Sequence, residues 1–175
     1  EHSAEYFEEK LRNLLDESVK YHQVSDVPVG SYLSGGIDST LITAMAAEQN
    51  NNFYGSFHGK FTEHPGYDES PYAQQAAEFA QTKFFVTDIK AQDFMDNMQK
   101  VIYHLDTPVA GPGAFPQFMV SKLASKHVKV VLGGQGGDEL FGGYARYVIA
   151  YFEQCIKAAI DGTYKNGNFV VTPES

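Results

Sequence analysis

The segment Val27–Thr40 constrains the fold more than any other. It reads Val-Pro-Val-Gly-Ser-Tyr-Leu-Ser-Gly-Gly-Ile-Asp-Ser-Thr, a short apolar run that breaks at two glycines and continues with helical spacing from Ile37 to Met45. Val29, Tyr32 and Leu33 have strand character, and Gly35 and Gly36 let the backbone turn without a Cβ. The expected product is a strand, a tight turn and a helix N-terminus. Backbone N–H groups in such a turn, with the positive end of the helix dipole, make an anion pocket to which Ser34, Ser39 and Thr40 add hydroxyls. Asp38 does not belong in a plain anion pocket. Its carboxylate suits either the helix dipole or a Mg²⁺ ion carried by a nucleotide. No Gly-x-x-x-x-Gly-Lys-Ser/Thr occurs, so this is not the common nucleoside-triphosphate loop.

The rest of the chain alternates helix and strand. Apolar residues at helical spacing and early acids predict a helix from Ser3 to about His22, and a strand follows over Pro28–Leu33. The helix after the glycine turn is expected to run to Gln49, stopped by Asn50-Asn-Asn. Phe53–Phe61 reads as a second strand, with Gly59 at a point where a ligand could approach the backbone. Ser70-Pro71 reads as a cap and first helical position, and Lys83–Thr87 as a third strand. Phe94–Leu105 and Gln117–Lys126 space out two more helices, the first ending before Pro108, and Val128–Leu132 is a fourth strand. This order predicts an α/β fold, a doubly wound parallel sheet with helices on both faces and a ligand at the carboxyl ends of its strands. Residues 1–160 are expected to form one domain and 161–175 a tail or linker.

A second glycine-rich stretch follows the fourth strand: Gly133-Gly-Gln-Gly-Gly-Asp-Glu-Leu-Phe-Gly-Gly-Tyr144, six glycines in twelve residues around an acid pair. Here Asp138 and Glu139 could hold Mg²⁺ together with Asp38 across the strand ends. The net charge of −9 argues against a nucleic-acid surface, and no apolar run approaches the ~18 residues of a membrane span. The lone Cys155 cannot form an internal disulfide, reads as a buried core residue and fits a reducing, cytoplasmic compartment. His22, His104 and His127 read as helix-end residues and His58 as a strand residue, without ligand-like spacing. The aromatic run Tyr144, Tyr147, Tyr151 and Phe152 reads as core or interdomain packing.

Ser34-Gly-Gly-Ile-Asp-Ser39 resembles the pyrophosphate-binding loop of the ATP pyrophosphatase families. Together with Gly134-Gln-Gly-Gly-Asp-Glu-Leu-Phe-Gly-Gly-Tyr144 it resembles the synthetase domain of glutamine-hydrolysing asparagine synthetases. Tyr67-Asp-Glu-Ser-Pro-Tyr-Ala73 and His104-Leu-Asp-Thr-Pro108 resemble linking segments of that family, so the similarity spans Val24 to about Phe152 and covers the N-terminal part of that domain. The resemblance implies an adenine nucleotide alpha hydrolase-like fold and ATP-dependent amide formation: a substrate carboxylate, aspartate or an analogue, is adenylated and ammonia then displaces AMP. It implies ATP and Mg²⁺, with Ser34, Gly35, Gly36, Asp38 and Ser39 at pyrophosphate, and Asp38 and Asp138 at the metal. By the same analogy Leu33, Gly59, Gly133 and Gly134 contact the nucleotide, and Tyr144 shapes the substrate side. Ammonia would come from a glutaminase domain outside this chain, with its own N-terminal cysteine, and a catalytic lysine would lie beyond Ser175; a homodimer is an open expectation. One departure stands out. Where the family pattern has Ser-Gly-Glu-Gly, this chain has Gly133-Gly-Gln-Gly136, so neutral Gln135 replaces a glutamate implicated in forming or using the adenylate. That substitution leaves open a paralogue that acts on a different carboxylate, β-lactam-forming or sugar-modifying, and a non-catalytic nucleotide-binding module remains as a third reading.

Overall fold

The computed structural model describes residues 2–107, 111 and 113–162. They divide into two compact units, one up to Gly134 and one from Gln135 onward. The first holds α1 (Ala4–His22), β1 (Val29–Tyr32), α2 (Ile37–Gln49), β2 (Ser56–Lys60), α3 (Ser70–Phe79), β3 (Phe84–Asp88), α4 (Ala91–Leu105), α5 (Ala114–Ala124) and β4 (Val130–Leu132). The second holds α6 (Gly137–Phe141) and α7 (Ala145–Ile160). Among the described residues, no helix is long and apolar enough to cross a membrane.

All four strands run parallel, in the order β3-β2-β1-β4. The chain moves outward from β1 through β2 to β3, then returns to lay β4 on the other side of β1. The order therefore reverses between β1 and β4, and such a reversal opens a crevice at the carboxyl ends of the two strands. Alternation along β1 sends side chains to opposite faces. Val29 packs with Val19 of α1 and Ala46 of α2, Ser31 hydrogen-bonds Thr43 of α2 at 2.8 Å, and Leu33, just past the strand, packs on Ala73 and Ala77 of α3. Tyr32 points the other way, its hydroxyl 2.7 Å from that of Ser121 on α5. Phe57, Ile89, Val101, Phe115, Met119, Val120 and Ala124 form the core on that second face. Helices thus cover both faces, as the alternating pattern predicts.

The structure moves several element boundaries, each for a local reason. Phe53, Tyr54 and Gly55 do not join β2. Gly55 has φ +152°, and a Cβ there would stand 2.7 Å from the Lys83 carbonyl, so the chain is squeezed against the approach to β3 before the ladder begins. Ser70 is not the cap of α3. Glu69 stands at that position without a side-chain bond, while Asp68 accepts from both the N–H and the hydroxyl of Ser70. Helix α5 starts at Ala114, ahead of Pro116, because a first-turn nitrogen has no partner inside the helix and proline is tolerated there. Its last turn takes the Val128 N–H onto the Ala124 carbonyl at 2.9 Å, so β4 begins only at Val130.

In the second unit the glycine-rich stretch contains a short helix. Gly136 (φ +97°) and Gly142 (φ +70°) bracket α6 in a left-handed conformation that favours glycine. Along α7, Cys155 and Ala158 are buried, whereas Tyr147, Val148 and Phe152 stand exposed.

Candidate active site

Two motif segments of the first unit meet beyond the paired ends of β1 and β4. The last β1–β4 pair is Ser31 with Leu132, after which the strands run on into Leu33–Gly36 and Gly133–Gly134. The turn after β1 is wired internally. Ser34 N–H donates to the Ser39 hydroxyl at 3.1 Å, Gly36 N–H donates to the Ser34 hydroxyl at 3.2 Å, and the two hydroxyls lie 2.9 Å apart. The Ser39 hydroxyl also donates to the Gly36 carbonyl at 3.2 Å. Ser39 is buried and acts as the staple of the turn, whereas Ser34 and Gly36 are exposed. Gly35 has φ +93°, and a Cβ there would meet the backbone nitrogen of Ala73 at 2.8 Å, so the turn needs glycine for both conformation and space.

Gly36 stands at the N-cap of α2 and offers no side-chain cap, which leaves the first-turn N–H groups without a capping oxygen. Gly134 closes over this turn. A Cβ on it would lie 2.8 Å from the Ser39 nitrogen and 3.0 Å from Asp38 atoms, so the β4 chain passes the α2 N-terminus backbone to backbone. Asp38 is half-buried in that first turn, and no hydrogen bond or ion pair joins its carboxylate to another described residue. Among the described residues no three His, Cys, Asp or Glu side chains gather as a metal cluster. A lone carboxylate is still a usual protein ligand for Mg²⁺, which keeps waters and substrate phosphates in its remaining positions. An oxygen donor without a protein cation beside it fits such an ion.

Gly59 has a packing reason for lacking a side chain. Its α-carbon faces Ile89 Cδ1 and Val120 Cγ2, which a Cβ would meet at 2.7 and 2.9 Å. Gly59 itself remains half-buried near the end of β2.

The remaining site residues belong to the second unit. Gln135 is exposed just ahead of α6, and Asp138 and Glu139 lie in the first turn of that helix. The Tyr144 hydroxyl donates to Glu139 Oε1 at 2.7 Å, and Arg146 lays its guanidinium 3.7 Å from the centre of the Tyr144 ring. That hydroxyl holds the Glu139 carboxyl below the usual carboxylate range, and the same bond pushes the Tyr144 phenol up. Gly143 leaves room for Asp138, whose Oδ1 occupies the space a Cβ would take.

Two further groups lie outside the glycine-rich motifs. Arg146 was unmarked within an aromatic helix. His58 was read as a plain strand residue, yet it is buried, with Nδ1 2.8 Å from the Leu33 carbonyl and Nε2 3.2 Å from the Ser70 hydroxyl. The signal available was the Asp68-Glu-Ser70 segment, quoted above only as a linking stretch. Two clefts, of about 570 and 620 Å³, open at the opposite end of the sheet, lined by residues such as Asn50, Phe53, Tyr54 and Lys83. They contain none of the motif residues. The crevice where β1 and β4 diverge is the candidate site, because dipoles and donors converge there.

The family model Asparagine synthase matches residues 10–173, across both units. Asparagine synthetase [glutamine-hydrolyzing] 1 of Bacillus subtilis (strain 168) is 41% identical over 138 residues, covering 79% of this chain and 22% of that protein. A putative asparagine synthetase [glutamine-hydrolyzing] of Mycobacterium tuberculosis (strain ATCC 25618 / H37Rv) is 41% identical over 139 residues, 79% of this chain and 21% of its own length. Asparagine synthetase B [glutamine-hydrolyzing] of Escherichia coli (strain K12) is 33% identical over 148 residues, 77% and 27% respectively. The chain therefore spans between a fifth and a third of the length of these relatives. A family match over nearly its whole length means that the chain belongs to the asparagine synthase family.

Proposed function

We propose that this chain carries the ATP-binding half of a carbon–nitrogen ligase site that forms an amide through an acyl-adenylate. A side-chain carboxylate, that of aspartate in the leading reading, attacks the α-phosphorus of ATP, and the bond to pyrophosphate breaks. Ammonia then attacks the acyl carbon and AMP leaves with the bonding electron pair; glutamine is its source in this reading, since the relatives are named glutamine-hydrolyzing. The products are asparagine, AMP and pyrophosphate. The observation that carries the reading is the close approach of Gly134 to the first turn of α2.

That approach supports a site in which the chain contributes position and charge stabilisation rather than covalent chemistry. The uncapped N–H groups of α2 and the turn Ser34–Gly36 bind the β- and γ-phosphates, with Ser39 holding the turn in shape and the Ser34 hydroxyl at its exposed rim. Leu33, Gly133 and Gly134 border the nucleotide, and Gly59 acts behind them by letting β2 pack against Ile89 and Val120. By the family resemblance Asp38 and Asp138 are each proposed as Mg²⁺ ligands, and the ion would neutralise phosphate charge. Tyr144 is held by Glu139 and Arg146 within the second unit, and by the family resemblance it shapes the carboxylate-substrate side. Calorimetry of the intact protein with ATP tests the binding step. Asp38→Ala should weaken binding strongly in Mg²⁺ and only slightly in EDTA; equal loss in both buffers would contradict the role of the carboxylate.

Gln135 favours a second reading. A glutamate at this position can accept a proton or orient an ammonium-like group, whereas glutamine offers only neutral hydrogen bonds. A paralogue adenylating another carboxylate is consistent with that change. A screen of carboxylates for ATP-dependent pyrophosphate release separates the two readings.

A further inference from the structure

A polar chain runs from the buried Leu33 and His58 to the half-exposed Ser70 and Asp68 behind the phosphate turn. Leu33 is the last residue before that turn, and β2 holds its peptide from both sides: its N–H donates to the Phe57 carbonyl at 2.9 Å, and its carbonyl accepts from His58 Nδ1 at 2.8 Å. On the far side of the ring, Nε2 lies 3.2 Å from the Ser70 hydroxyl, which itself donates to Asp68 Oδ1. A carbonyl can only accept, so Nδ1 carries a proton. The Ser70 hydroxyl donates to Asp68 and meets Nε2 through the same oxygen. The ring thus links the Leu33 carbonyl to the Ser70 hydroxyl, and Asp68 anchors the far end of the chain. Phe84 stacks on the imidazole with centroids 5.7 Å apart, which confines the ring to one orientation. His58 and Leu33 are both almost fully buried, so water does not substitute readily for a lost link.

We propose that Asp68, Ser70 and His58 form a relay that fixes the Leu33 carbonyl, making His58 a positioning residue for the phosphate turn Ser34–Ser39. This rests on the functional reading above and extends it to the α3 entry, which reaches the turn through His58 and Leu33. The relay sets where β1 releases the chain into the turn. The Asp68 carboxyl, held below the usual carboxylate range by the Ser70 hydroxyl, remains the acceptor at neutral pH.

The test uses the intact protein with three variants. Ser70→Ala cuts the relay, Ser70→Thr keeps a hydroxyl, and His58→Phe keeps a ring against Phe84 without its nitrogens. Three quantities are read: ATP affinity in saturating Mg²⁺, melting temperature, and hydrogen exchange of the Ser34 and Gly36 amides without nucleotide. Loss of a hydrogen bond of ordinary strength predicts ATP binding weakened about three- to tenfold in Ser70→Ala and His58→Phe, and exchange at the two amides faster by a similar factor. Ser70→Thr should return both to within about twofold of wild type. A purely structural role gives a lower melting temperature with ATP affinity and amide exchange unchanged, and that result overturns the proposal, as does failure of Ser70→Thr to rescue. A wild-type protein that binds no ATP overturns the functional reading instead, and amide exchange alone then decides whether His58 orders the turn.

Discussion

Gly134→Ala perturbs the contact on which the site depends. The added methyl carbon would stand 2.8 Å from the Ser39 nitrogen and 3.0 Å from the Asp38 carbonyl carbon and Cβ. Carbon contacts are comfortable near ~3.5–4.0 Å, so the overlap approaches an ångström and falls mainly on backbone. The helix cannot yield locally, because Ser39 is tied to Ser34 and Gly36 on the other side of the same turn. Relief therefore requires the β4 chain and the α2 N-terminus to separate. Overpacking of this kind costs about 1–3 kcal/mol. For a domain of this size, ~2 kcal/mol corresponds to a drop of roughly 4–8 °C in Tm. ATP affinity should fall as well, because the same movement parts the two walls of the phosphate site. Gly66→Ala is the control, since nothing lies within 4 Å of a Cβ there and it should leave both quantities unchanged. Melting and calorimetric titration of wild type and both variants read the effect. A Gly134→Ala protein that melts within about 1 °C of wild type and binds ATP equally well would refute the reasoning.

Ser31→Ala removes one member of the buried 2.8 Å pair with Thr43 and strands the other hydroxyl, at a cost of ~1–3 kcal/mol; adding Thr43→Val should recover part of the loss in urea melts. Asp68 has a depressed folded-state value, so its contribution is present above the ordinary carboxylate range and disappears as pH falls through the lower, folded value. Below about pH 4, wild type should lose Tm more steeply than Asp68→Asn, and parallel curves would contradict the assignment. Gln135→Glu is nearly isosteric, so it should leave Tm unchanged while altering carboxylate-dependent pyrophosphate release; an efficient wild-type asparagine former whose glutamate variant loses activity without losing stability would defeat the second reading.

Much of this fold was legible because its punctuation is local. Helix α2 runs from Ile37 to Gln49 as read, since paired glycines before it and asparagines after it act within a few residues. Strand order was not legible. Periodicity places ligands at strand ends but carries no information about which strands are neighbours, and only the β1–β4 pairing reveals why Gly134 must lack a side chain. Residue chemistry was also ambiguous where one side chain serves either ligand or chain. The Ser39 hydroxyl looked like a phosphate donor and is directed into its own turn. Gly59 looked like an opening for a ligand, and its missing side chain also makes room for Ile89 and Val120, neighbours supplied by distant parts of the chain. His58 carries no local signature, because its partners come from β1 and the α3 entry.

Release of pyrophosphate from ATP by the intact wild-type protein tests the central claim most directly. The account predicts release that depends on Mg²⁺ and on an added carboxylate, with AMP as the matching product and hydroxylamine trapping the activated acyl group. ATP binding without carboxylate-dependent pyrophosphate release, or release of orthophosphate and ADP in its place, would contradict it.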